Sequence, residues 1–152
     1  MPSNQTNPHD LQTPALLLDE AKMIRNMERL ASRAALLGVT LRPHMKTAKS
    51  IDVARCMGSG DDLPVTVSTL AEAEALFAAG YGDILYAVGI APRKLPRVQA
   101  LREKGCDLVV ILDNPDQAVA VAHAGVPALL ELDSDGHGGG VLPEDPLLVD
   151  IG

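Results

Sequence analysis

The 152-residue sequence has few aromatic residues: one Phe, two Tyr and no Trp. Its core must therefore be built from aliphatic side chains, which suits a parallel sheet covered by helices. Basic residues are also in the minority, since 13 Lys and Arg stand against 20 Asp and Glu and leave a net charge of −7. An acidic chain without a basic stripe argues against nucleic acid and against an anionic membrane surface as partners.

Cysteines and long apolar runs are scarce as well. Cys56 and Cys106 have no metal-site spacing, so we expect two buried, reduced thiols in a cytoplasmic protein. No apolar stretch approaches the roughly 18 residues that would suggest a membrane span. The polar residues 1–10 lack the charged and apolar segments of a signal peptide, and we expect them to be disordered.

The rest of the chain repeats one order: an amphipathic helix, a glycine and a short apolar strand. Helical spacing and capping residues predict helices at 20–37, 51–57, 70–79, 92–104 and 115–124. Short apolar runs predict strands at 15–18, 39–45, 65–67, 84–86, 107–112 and 127–132.

Strands that alternate with helices in this way indicate an α/β fold with a parallel sheet. Two closures remain open. A doubly wound sheet could finish within this length, whereas a (β/α)₈ barrel typically needs about 250 residues. With about five βα units after its first strand, the chain would be a partial TIM-type barrel, an incomplete domain over residues 11–152, and its apolar, uncapped ending fits that closure better than a finished domain.

The run Arg42-Pro43-His44-Met45-Lys46-Thr47 is the strongest candidate site. In a strand, residues two apart point the same way, so Arg42, His44 and Lys46 share one face. Unpaired buried charge is costly, and these groups must therefore meet an anion or a wet site. Lys46 falls at the carboxyl end of its predicted strand, where partial desolvation among cations would make it a Schiff-base nucleophile. Alternatively, Lys46 and Lys49 are solvated loop lysines and Arg42 pairs with an acidic neighbour.

Other polar residues follow later strands. The hydroxyls of Ser68 and Thr69 could bond a cofactor, although Thr69 could equally be only a helix cap with Glu72. Tyr86 ends another strand and points either into a site or into the core. Asp113 is interpreted as a loop or capping residue.

A loop rich in acids and glycines follows the last predicted strand. Asp133, Asp135 and His137 make a metal thinkable there, but their spacing matches no standard site, so we predict a flexible loop and assign no metal ligand. The glycine run 136–140 lacks the lysine and hydroxyl residue that close a phosphate loop.

Taken together, these segments resemble the fold-type III pyridoxal phosphate (PLP) enzymes. The likeness is to the D-threonine aldolase and D-serine dehydratase branch of the alanine racemase N-terminal barrel superfamily. Its specific part is Arg-Pro-His-x-Lys-Thr at 42–47, and it extends from about residue 11 onward. Supporting segments are 13–19, 65–74, 83–87 and 131–141.

The resemblance implies a lyase that acts on small D-amino acids with a β-hydroxyl and uses PLP as an electron sink. Lys46 would be the catalytic lysine that holds PLP covalently, with His44 beside it and Ser68 and Thr69 lining the pocket. Together with Arg42 from the same strand face, these residues form the predicted cofactor-binding set.

The resemblance also implies what the chain would not contain. Residues beyond Gly152 would supply the phosphate-binding residues, the divalent metal site and a C-terminal β-domain. A homodimer is expected only of the full-length form, and this part alone is expected to be inactive. The chain departs from the family pattern at Ala48, where the family has histidine, and at His137-Gly138-Gly139, where it has an arginine against the PLP ring. A non-catalytic PLP-binding barrel protein and a doubly wound domain that binds a nucleotide or a partner protein are the alternatives.

Overall fold

The computed structural model describes residues 7–58 and 63–152. The chain divides into two compact units, residues 1–39 and 40–152. The sequence did not reveal this boundary, because a predicted strand spans it. Of the segment expected to be disordered, residues 1–6 lie outside the described residues, whereas Pro8–Asp10 form a 3-10 helix.

The first unit contains the helix α1, Glu20–Leu37. Asp19 caps it by accepting the Lys22 N–H at 2.9 Å, and Gly38 ends it in the left-handed conformation at φ 65°. The prediction of this helix and both of its ends is confirmed. The strand predicted at 15–18 is wrong, since these residues have no regular structure. A strand exists only where a neighbour accepts and donates its hydrogen bonds, and sequence pattern alone does not supply that neighbour.

The second unit alternates helices and strands. Its elements are α2 (Ile51–Met57), β1 (Val65–Val67), α3 (Leu70–Ala78), β2 (Asp83–Gly89), α4 (Leu95–Glu103), β3 (Asp107–Leu112), α5 (Pro115–Ala124), β4 (Ala128–Leu130) and α6 (Leu147–Ile151), with a 3-10 helix at Pro92–Lys94. All were predicted within a few residues except α6, which was missed. Within the described ranges, no helix is long and apolar enough to cross a membrane.

The four strands form one parallel sheet in the order β1-β2-β3-β4. Each new strand is added on the same side of the previous one. A doubly wound sheet would instead reverse its strand order at a switch point. The doubly wound alternative is therefore wrong for the described strands, and the order is that of a partial β/α-barrel.

The strand predicted at 39–45 is reduced to a single bridge, between His44 and Thr66. The Thr66 N–H donates to the Pro43 carbonyl at 2.9 Å, and the Met45 N–H donates to the Thr66 carbonyl at 2.8 Å. Pro43 has no N–H with which to continue the ladder, and the chain turns over residues 45–48. The segment therefore lies beside β1 without extending the sheet by a full strand.

The two faces of the sheet differ in burial. One face packs against the helices, and its side chains are fully buried: Val65, Val67, Ile84, Tyr86, Leu108 and Val110. The opposite face is less uniformly buried: Thr66 and Ile111 are buried, Leu85 and Val109 are half-buried, and Leu129 is 53% exposed. Tyr86 thus belongs to the helix-side core, where Lys94 Nζ donates to its hydroxyl at 2.7 Å.

The two cysteines lie in different environments, which corrects the expectation that both are buried. Cys56 is exposed on α2, whereas Cys106, just before β3, is buried. Burial raises the pKa of the Cys106 thiol to about 11, and the nearby negative charge of Asp107 acts in the same direction. The thiolate of Cys106 is therefore scarce near neutral pH.

We expect iodoacetamide at about pH 8 to modify Cys56 and to leave Cys106 unmodified in the folded chain, because the thiolate is the nucleophile. Mass spectrometry of tryptic peptides measures both sites. In denaturant both cysteines should react. Equal labelling of both sites in native buffer would contradict the burial of Cys106.

Candidate functional site

Polar side chains gather where the parallel strands end. The turn over residues 45–48 follows the His44 bridge, Ser68 follows β1, and Asp113 follows β3. In parallel α/β proteins, ligands bind at this carboxyl edge of the sheet. His44, Lys46, Ser68 and Thr69 of the predicted set therefore lie at this edge, whereas Arg42 does not.

The His44 ring is held by hydrogen bonds at both nitrogens. Its Nδ1 accepts the Lys46 N–H at 3.2 Å, and its Nε2 lies 3.3 Å from the Ser68 hydroxyl oxygen. A nitrogen that accepts a backbone N–H carries no proton, so in the neutral ring the proton is assigned to Nε2, which donates to Ser68. The ring is thereby fixed in one tautomer.

The protonation of His44 follows the same environment. Burial lowers the pKa of His44 below its usual 6.5, the nearby charge of Lys46 lowers it further, and Glu72 opposes both. When the pH falls past about 6.5, the unfolded chain takes up this proton before the folded chain does. The contribution of His44 to stability is thus present above that pH and is lost as the pH falls through the folded pKa.

The amine of Lys46 differs from those of other lysines in the described part of the chain. Lys22, Lys49 and Lys94 each place their ammonium groups on an acceptor, whereas no partner of Lys46 Nζ occurs among the residues that the structure describes. Its side chain is exposed, so the partial desolvation expected from the sequence is absent here. It lies in the turn directly after the His44 bridge.

Arg42 forms an ion pair with Asp83. Its guanidinium binds both carboxylate oxygens of Asp83, at 2.6 and 2.8 Å, and it also donates to the Val65 carbonyl at 3.4 Å. Asp83 begins β2, so this pair lies toward the amino ends of the strands. The structure thus gives Arg42 the acidic neighbour that the sequence left as an alternative, and it does not bring the guanidinium to Lys46.

Ser68 and Thr69 directly precede α3, and both are hydrogen-bonded to its first turn. Glu72 Oε2 accepts the Ser68 N–H at 2.9 Å and the Thr69 N–H at 3.2 Å. Thr69 Oγ1 in turn accepts the Glu72 N–H at 3.1 Å. The predicted capping box is confirmed. Both hydroxyl groups accept hydrogen bonds here, which leaves their own protons available to a ligand.

Two residues of this region were missed as site components. Glu72 was identified only as a cap, yet its Oε1 also lies 3.6 Å from Lys49 Nζ. Gln117 accepts the Asp113 N–H at 2.9 Å and holds the end of β3. Lys49 lies 23 residues from Glu72 in the chain, so no local pattern could have revealed that pair.

The loop after β4, predicted to be flexible, contains internal hydrogen bonds. Asp133 Oδ1 accepts the N–H groups of Gly136 at 2.9 Å and Gly138 at 3.3 Å. Leu132 and Val141 form a parallel bridge across its base. Among the residues placed by the structure, no group of three His, Cys, Asp or Glu side chains could hold a metal ion.

Comparison with known families shows the family of the chain. The alanine racemase N-terminal domain matches residues 18–149. The chain belongs to this family. The Lys46 turn, the Ser68 end of β1 and the loop after β4 all lie within the matched segment of the alanine racemase N-terminal domain.

Curated relatives within the family place the resemblance more finely. D-threo-3-hydroxyaspartate dehydratase from Delftia sp. (strain HT23) is 46% identical over 149 residues, which cover 93% of this chain and 39% of that protein. D-serine dehydratase from Schizosaccharomyces pombe is 36% identical over 110 residues, 69% of this chain and 26% of that protein. The predicted likeness to the N-terminal part of this lyase branch is confirmed.

Solved structures support the fold. The Delftia dehydratase superposes with a TM-score of 0.85 at 46% identity, covering 93% of this chain and 39% of that one. D-threonine aldolase from Filomicrobium marinum superposes with a TM-score of 0.72 at 29% identity, covering 92% and 39%. This chain therefore spans about two-fifths of the length of these relatives, and its partial-barrel architecture corresponds to part of theirs.

Proposed function

We propose that this alanine racemase N-terminal domain is the lysine-bearing part of a PLP-dependent lyase of the D-threonine aldolase or D-serine dehydratase type. Its substrate class is small D-amino acids with a β-hydroxyl. The activity is proposed for a longer protein that contains this chain. It is supported by the names of the relatives, which are dehydratases and an aldolase of such compounds.

One observation carries the proposal: within residues 7–58 and 63–152 no acceptor lies against the Lys46 amine, whereas Arg42 and Lys49 of the same segment form ion pairs. Asp83 neutralises Arg42, and Ser68 holds His44. Schiff-base formation with a carbonyl ligand uses the deprotonated amine. An amine that no carboxylate holds as an ammonium ion pair is free to react in that form.

The donor set of this site fits part of PLP. The Lys46 amine would hold the aldehyde carbon, and the Ser68 and Thr69 hydroxyls would donate to oxygen atoms of the cofactor. Arg42 would act indirectly, by fixing β2 against the segment that carries His44. When bound, PLP supplies an electron sink for cleavage of a bond at the amino-acid α-carbon or β-carbon.

Reductive trapping tests the proposal. The chain is incubated with limiting PLP, reduced with borohydride and digested, and the labelled lysine is identified by mass spectrometry. We expect the label on Lys46 and the loss of most label in Lys46→Ala. The reason is that, among the lysines that the structure describes, Lys46 combines an amine without an acceptor with a backbone hydrogen bond to His44, whose ring contacts Ser68.

Lys104→Ala is the matched control. Lys104 is exposed at the end of α4 and, like Lys46, has no ion-pair partner within the part of the chain that the structure describes. This variant should keep the wild-type label. Equal labelling of Lys46 and Lys104 would refute the proposed role. Label on Lys46 in a longer protein that does not turn over D-serine or D-threonine would favour a non-catalytic PLP-binding barrel.

A further inference from the structure

The turn that carries Lys46 is attached to helix α3 at both of its ends. We call residues 45–48 the lysine turn. Before it, the His44 ring contacts the Ser68 hydroxyl at 3.3 Å. After it, Lys49 Nζ faces Glu72 Oε1 at 3.6 Å. The turn is thus held between two contacts with the first residues of α3 and its N-terminal flank.

Glu72 joins these two contacts. One of its oxygens accepts the Ser68 N–H and so places the hydroxyl that meets His44. The other oxygen faces Lys49. The Glu72 side chain is only 13% exposed, so its charge is poorly solvated and its partners are strongly favoured. If Glu72 acted only as a helix cap, replacing it would not affect the lysine turn.

The backbone of the turn completes the connection. The Lys49 N–H donates to the Met45 carbonyl at 2.9 Å, and Lys49 has a positive φ of 47°. A non-glycine residue keeps this conformation only where its surroundings hold it. The Lys49–Glu72 ion pair restrains Lys49 at this position.

We propose that Glu72 is the positioning residue of the lysine turn: through Ser68 it orients His44, and through Lys49 it fixes the far end, so that the Lys46 backbone keeps its bond to His44. This inference rests on the proposed role of Lys46. Glu72 itself touches neither PLP nor substrate in this account. The charged groups that face His44 are Lys46 and Glu72.

The test measures the turn without cofactor. In the full chain, ¹⁵N NMR reports the His44 tautomer, and amide exchange reports the Lys46 and Lys49 N–H groups. Glu72→Ala should speed exchange at both amides by about fivefold to tenfold, the loss expected for one hydrogen bond. It should also populate the second His44 tautomer. Glu72→Gln keeps the cap but loses the charge that pairs with Lys49, so its larger effect should fall on the Lys49 amide.

Thr69→Ala is the matched control, since it removes the other half of the capping box and leaves the Glu72 carboxylate in place. It should speed exchange at the start of α3 without changing the His44 tautomer. Equal effects of Thr69→Ala and Glu72→Ala on the lysine turn would overturn the proposal. So would an unchanged His44 tautomer in Glu72→Ala. If Glu72→Ala does not fold, Glu72→Gln decides by the Lys49 amide alone.

The outcome is separable from that of reductive trapping. The positioning role would be upheld and the cofactor role refuted if the Glu72 variants change the lysine turn as expected but PLP does not label Lys46. If PLP labels Lys46 but the Glu72 variants leave the lysine turn unchanged, the cofactor role would be upheld and the positioning role refuted.

Discussion

Leu108→Ala should lower the free energy of unfolding of residues 40–152 by about 3 kcal/mol, within the range of about 2–5 kcal/mol for buried leucines. Leu108 is fully buried on the helix side of β3, beside Ile84 of β2. Its removal both loses apolar burial and leaves a cavity between sheet and helices. Urea unfolding followed by circular dichroism measures the change.

Leu129→Ala is the control for this experiment. Leu129 lies on β4 but points to the other face of the sheet and is 53% exposed. Because much of its surface is already in water, its truncation should cost about 1 kcal/mol or less. Equal losses for the two variants would show that the two faces of the sheet have been assigned wrongly.

The helices could be predicted because their signals are local. Asp19 and Gly38 bound α1, Thr69 begins α3, and Asn114 and Gly125 bound α5, each as read from the sequence. A cap acts on backbone groups two to four residues away, so the pattern contains both partners.

The two strands predicted before β1 are wrong because strand pairing does not depend on local signals alone. Residues 15–18 have apolar strand composition, and residues 39–45 alternate as a strand should, yet only His44 is paired. Pairing depends on a partner far along the chain. The same applies to side chains, since Asp83 lies 41 residues from Arg42 and Ser68 lies 24 from His44. Sequence could name Lys46 as the candidate amine but could not show which neighbours are neutralised.

The apolar run of β3 was interpreted as a strand with both faces covered. Its helix side is buried as expected, whereas on the other side Ile111 is buried but Val109 is only half-buried. In a complete β/α-barrel, the inward-facing side chains of other strands fill this space. The partial exposure of Val109 agrees with this expectation, because the chain matches only 39% of the Delftia dehydratase.

Gly140→Ala is expected to open the loop after β4. Gly140 has φ +107°, and an added Cβ would lie 2.6 Å from the Glu131 carbonyl oxygen and 3.0 Å from the Asp133 nitrogen. Both atoms belong to backbone that closes the loop, where the Val141 N–H donates to Glu131 at 2.9 Å. Strain of about 1–3 kcal/mol follows, so exchange of the Val141 amide should rise about tenfold or more.

Gly136→Ala separates the two causes of this effect. Gly136 lies in the same loop with φ +72°, but an added Cβ would meet nothing within 4 Å. It therefore carries the conformational strain, about 1–2 kcal/mol, without the collision. Amide exchange at Val141 should change far less in Gly136→Ala than in Gly140→Ala. Similar exchange in both variants would mean that positive φ alone governs this loop and that the close approach of Gly140 to Glu131 has no energetic weight.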